Sequence, residues 1–143
     1  MNIKLIYSGY KNITDKTGDF VLLFVRFLLA YGFYHPALLK LRDINSVGQW
    51  FEGMNYPLPY LNAYLATGTE VAGVFLLFLG LGTRIITVPL IITMLVAITT
   101  VHWGNGFDAG NNGSEIPLYY IAMLLVLLAN GAGKISLDRL FRK

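Results

Sequence analysis

The chain contains no cysteine. That excludes a disulfide framework, a thiol nucleophile, and sulfur ligation of an iron–sulfur cluster or a c-type haem, so any redox role needs a bound cofactor or a partner. Charge is also scarce. Asp, Glu, Lys and Arg make up 13% of the residues, against ~25% in a soluble domain, too few to coat a water-soluble globule. No internal repeat or low-complexity tract is present. The stretch "DAGNNGSE" begins like a calcium-binding loop, but Tyr119 stands where the twelfth-position carboxylate is required, so it reads as a turn-rich loop. "NIT" and "NGS" match glycosylation sequons, which carry meaning only in a secretory pathway. Before residue 20 there is neither the continuous apolar run nor the small-residue cleavage site of a signal peptide.

What the chain has in excess is apolar sequence. Hydrophobic residues make up 55%, the mean hydropathy is +0.57, and the excess lies in four blocks: about 20–39, 61–81, 85–101 and 116–132. Each is near the ~20 residues a helix needs to cross a bilayer core. The expected fold is all-α, an integral membrane bundle of four transmembrane helices. Asp19 is expected to cap the first span, Gly80 and Gly82 to close the second-to-third turn, and Ser114 or Glu115 with Pro117 to open the fourth. Residues 1–19 place Ile3, Ile6, Tyr10 and Ile13 on one helical face, the pattern of an amphipathic helix on the cytoplasmic membrane surface. The loop after the first span, with Trp50, Phe51, Tyr56 and Tyr60, reads as a second interfacial segment, and residues 133–143 as a basic tail.

Eight Lys and Arg residues fall in the N-terminal segment, the second-to-third turn and the tail, against Lys40 and Arg42 in the other two loops. This bias places both termini in the cytoplasm of a bacterial inner membrane, with the loops at 40–60 and 102–115 outside. It also accounts for the net charge of +3 without nucleic acid as a partner.

Two charges lie fully within the spans, Arg26 and Glu70. A central charge costs roughly 2.5–3.5 kcal/mol on insertion scales, so each needs a partner. Counting ~1.5 Å per residue puts their depths about 7 Å apart, and the expectation is that they pair. Small residues about Glu70, from Ala66 to Gly73, would let the first two spans approach closely. Such a pair either locks helix packing or floors a polar pocket. Arg26, Phe33, Ala37 and Lys40 share one face of the first helix. With His102, Trp103, Glu115 and Tyr119 at the neighbouring helix ends, the candidate pocket is Arg26, Lys40, Glu70, His102, Trp103, Glu115 and Tyr119. Lys40 as a snorkelling cation, Trp103 as a belt residue and Glu115 as a helix-start carboxylate are the plainer alternatives. His35 with His102 for haem, or His102, Asp108 and Glu115 for a metal, have no ligand spacing motif behind them, and no metal site is expected.

These residues together resemble the DoxX family of small four-helix bacterial membrane proteins. The resemblance rests on Arg26, Gly32-Phe33 and Lys40 in the first helix, Glu70, Gly73 and "LGLGTR" in the second, "VHWGNGF" after the third, and "GAGKISLD". It covers roughly residues 20 to 138, departing at His35-Pro36 and in the "DAGNNGSE" loop. The resemblance implies association with thiosulfate:quinone oxidoreduction, oxidative-stress complexes or maturation systems. Three functions therefore stay open. One is a membrane or accessory subunit of a redox system, at most a quinone-linked oxidoreductase subunit, with quinone as its cofactor and a redox or maturation protein as its partner. The others are a non-enzymatic scaffold and a small proton-coupled transporter titrating Glu70. A homodimer through the Gly/Ala-rich second span fits any of the three.

Overall fold

The computed structural model describes the backbone of residues 3–141 and the side chains of residues 17–141. The described residues form helices and loops, with no strand. α1 runs Ile3–Arg42, α2 Ile44–Gly53, α3 Pro59–Leu79, α4 Thr83–Ala97, α5 Glu115–Asn130 and α6 Asp138–Phe141. Three helical stretches are long and apolar enough to cross a membrane, Thr17–Arg42, Pro59–Leu79 and Thr83–Asn105, and α5 is a shorter apolar helix. The protein is thus a multi-pass membrane helical bundle.

α1 is continuous through the start of its apolar stretch, so Asp19 does not cap a helix there. Its carboxylate instead accepts from Lys134 N at 2.8 Å and pairs with the Lys134 ammonium at 3.3 Å. The amphipathic face assigned to Ile3, Ile6, Tyr10 and Ile13 lies outside the residues whose side chains are described.

α1 packs chiefly on α3 and α4 on α5, while α2 lies against α3. The core is Leu29, Ala30, Phe33, Leu77, Ile86, Leu90, Leu124 and Leu127. Large apolar side chains such as Phe20, Tyr31, Phe75 and Ile85 are exposed, the inverted distribution expected where lipid is the outer solvent. The buried stripe of α3 is Ala63, Thr67, Glu70, Gly73 and Leu77. Of the small residues near Glu70, Gly73 packs against Leu90 of α4 and Gly68 faces open space, so neither draws α1 close. The close-approach glycine of α1 is Gly32, on the side of α5, where a Cβ would run into the Tyr120 ring.

The α3–α4 turn is closed by Gly80 and Gly82, both left-handed at φ 67° and 58°, as expected of a tight helix–helix turn. The segment after α5 folds back onto it. Leu137 N donates to Leu79 O and Asp138 N to Gly80 O, and the Asp138 carboxylate accepts from Gly82 N and Thr83 N at 2.6 and 3.1 Å. A carboxylate at the exposed N–H groups of α4 is electrostatically favourable.

Candidate functional site

Arg26 belongs to this clasp. Its guanidinium is 1% exposed and donates to four carbonyls: Leu77 at 3.0 Å, Phe78 at 3.3 Å, Ala132 at 2.7 Å and Ile135 at 2.8 Å. The last-turn carbonyls of a helix have no intrahelical donors and carry partial negative charge, so a five-donor side chain at the end of α3 is well matched. The expected Arg26–Glu70 pair is therefore absent.

Glu70 pairs with Lys40 instead, Nζ to Oε1 at 2.5 Å. Helical side chains lean towards the N-terminus of their own helix. Because α1 and α3 are antiparallel, Lys40 and Glu70 lean towards each other, whereas Arg26 and Glu70 lean apart. Depth alone favours Arg26; side-chain direction selects Lys40.

The Lys40–Glu70 pair lines an open chamber of about 960 Å³ whose walls come from α1 to α5. Its walls are mostly apolar, among them Phe33, Leu65, Ile92, Met94, Val96 and Ile116. Against that surface the pair is incomplete. Lys40 uses one of three N–H donors on Glu70, and Glu70 Oε2 is buried with no hydrogen-bond partner among the described residues. Thr67, one turn earlier on α3, has an equally buried, unpartnered hydroxyl. An unpaired buried oxygen costs about 1–3 kcal/mol, which a ligand or water can recover.

His102 also lines the chamber. It closes a five-residue π-helical turn, Ile98–His102, that continues α4; such turns carry one extra residue and concentrate at functional sites. His102 Nδ1 lies 2.7 Å from the Asn112 carbonyl. A carbonyl only accepts, so Nδ1 holds the proton and the neutral ring keeps Nε2 as an acceptor. Pro36 and Pro89 lie inside α1 and α4 and line the chamber too. Having no N–H, Pro36 leaves the carbonyl of Gly32, another lining residue, without its i+4 donor.

Of the seven expected pocket residues, Lys40, Glu70 and His102 come together. Arg26 lies in the clasp. Trp103 is 76% exposed and outside the chamber, as a belt residue would be. Glu115 accepts from Tyr119 Oη at 2.8 Å and from Ala109 N at 3.0 Å, so Glu115 pins the 108–114 loop to α5, Tyr119 braces Glu115, and neither lines the cavity. The tyrosine that does is Tyr120, edge-on to Phe33. The stripe Pro117, Tyr120, Leu124 and Leu127, at helical spacing, carries that signal in the sequence; choosing Tyr119 followed its i+4 relation to Glu115. His35 is exposed and outside the chamber, and among the described residues no cluster of three His, Asp or Glu is placed to hold a metal.

The family model for DoxX matches residues 21–103, a stretch that holds Lys40, Glu70 and His102. Two uncharacterized proteins of Haemophilus influenzae are similar. One is 36% identical over 130 residues, covering 85% of this chain and 83% of its own length. The other is 30% identical over 135 residues, covering 92% and 98%. No solved structure matches the chain.

Proposed function

The chain belongs to the DoxX family, and from that premise we propose that it is a membrane or accessory subunit of a quinone-linked or oxidative-stress redox system, holding a quinone-class molecule in the chamber above Glu70. The observation that carries this reading is the incomplete Lys40–Glu70 pair in an otherwise apolar cavity. A volume of about 960 Å³ lies at the upper end of the ~300–1,000 Å³ of small-molecule pockets. The apolar walls suit a hydrocarbon body. A polar head with both donor and acceptor oxygens suits the free Lys40 N–H groups and Glu70 Oε2, and such a head supplies the redox chemistry. The protein's own part is to orient that head and exclude water. With no thiol in the chain, electrons come from a partner protein. The assembly sits in the inner membrane with the clasp on the cytoplasmic side, and the exposed face of α3 around Gly68 is available to a second copy.

The test is native purification in lipid, with mass spectrometry of bound small molecules and proteins. Retained quinone that falls at least tenfold in Glu70→Gln supports the reading. A folded protein that carries only lipid, and binds no added quinone, refutes it. A second reading, proton-coupled transport, is favoured by the buried free oxygen of Glu70. It predicts substrate-driven proton uptake in liposomes that Glu70→Gln abolishes.

A further inference from the structure

At the Arg26 end, away from the chamber, a second cleft of about 600 Å³ opens between the start of α4, the end of α5 and α6. Three cations line it, Arg84, Lys134 and Arg139, together with Ile85 and Phe141, apolar side chains that are 79% and 77% exposed. The two carboxylates of the cleft are already engaged, Asp138 by the amides of Gly82 and Thr83 and Asp19 by Lys134. Arg84 gives one of its five donors to the Ala129 carbonyl. Arg139 makes no hydrogen bond and no close ion pair with any described residue. Asp19 also feels the charge of Arg139, yet among the described residues of the cleft three cations face two carboxylates, at the level where the apolar helices begin.

We propose that this cleft binds the phosphate of an anionic membrane lipid, with the acyl chains lying along Ile85 and Phe141. A phosphodiester presents paired oxygens that match a guanidinium fork. Basic pockets between transmembrane helices at the charged face of a membrane hold anionic headgroups in this way. Soluble phosphate shares the headgroup chemistry, but it makes no use of the two exposed apolar side chains beside the cations.

The experiment reconstitutes the full chain in nanodiscs of phosphatidylcholine with graded phosphatidylglycerol and counts retained lipids by native mass spectrometry. Phosphatidylglycerol should be retained over phosphatidylcholine. Its retention should fall on the order of fivefold in Arg139→Gln and again in Arg84→Gln, with Arg42→Gln at the opposite end unchanged. Arg139→Gln removes no hydrogen bond to a described residue, so it remains informative if Arg84→Gln does not fold. Equal retention of the two lipids, or retention in Arg139→Gln equal to the parent, overturns the proposal. Complete displacement of phosphatidylglycerol by inorganic phosphate would assign the cleft to a soluble anion and likewise overturn the lipid site.

Discussion

Glu70 and Lys40 form an ion pair in which one member is 1% and the other 32% exposed. Breaking such a pair from the cationic side strands a carboxylate in low dielectric. Lys40→Met should therefore destabilise the bundle by about 2–3 kcal/mol, below the value for a fully buried pair because the ammonium is part-solvated. Lys40→Met with Glu70→Met should cost less than the sum of the single changes, as read from reversible unfolding in detergent. Additive costs would mean the pair contributes nothing. That Glu70 needs a partner was legible in the sequence, because a lone carboxylate in an apolar run admits few alternatives. Depth pointed to the other cation, since Arg26 lies about 7 Å from the level of Glu70 and Lys40 about twice as far. The deciding facts are the lean of each side chain and the carbonyls waiting for Arg26 at the end of α3, and only the second needed the fold.

The helices themselves were largely legible, because four apolar blocks bounded by Gly, Pro and polar residues leave little choice of element. Their ends were less so. α1 passes straight through Asp19 because nothing there breaks a helix, and the π turn at Ile98–His102 has no signature in "ITTVH". Deleting Thr99 should restore α-helical phase and rotate His102 by about 100°. The His102–Asn112 bond and quinone retention would then be lost while helical circular dichroism stays; unchanged retention would show that the turn has no part in the site. α2 carries its own control. Asp43 accepts from the hydroxyl and amide of Ser46, and these two bonds hold its carboxyl below its ordinary value. A depressed folded pKa stabilises the cap above the usual carboxylate range and ceases to do so as pH falls through the lowered value. Trp50 fluorescence, read in a Trp103→Phe background, should therefore change only on strong acidification. In Asp43→Asn, where the amide caps without titrating, it should stay flat.

For the molecule as a whole, charge bias along the sequence predicts orientation, and the absence of cysteine makes it testable. A single cysteine at Asn55 should react with an impermeant maleimide in intact cells, and one at Lys134 only after lysis; the reverse pattern would invert the topology. The motifs that resemble the family divide between the two ends. Lys40, Glu70 and His102 belong to the chamber, while Arg26, "LGLGTR" and "GAGKISLD" build the clasp, so the sequence pattern mixed architecture with chemistry. The clasp also bears on how the chain is made. Two of the carbonyls that satisfy Arg26 lie 106 and 109 residues later. At ribosomal speeds of about 5–20 residues per second, roughly 5–20 s separate the insertion of that arginine from the arrival of its acceptors. Through that interval the first helix carries a visible mark of incompleteness. A nascent chain stalled before Ala132 leaves that guanidinium short of two of its four acceptors.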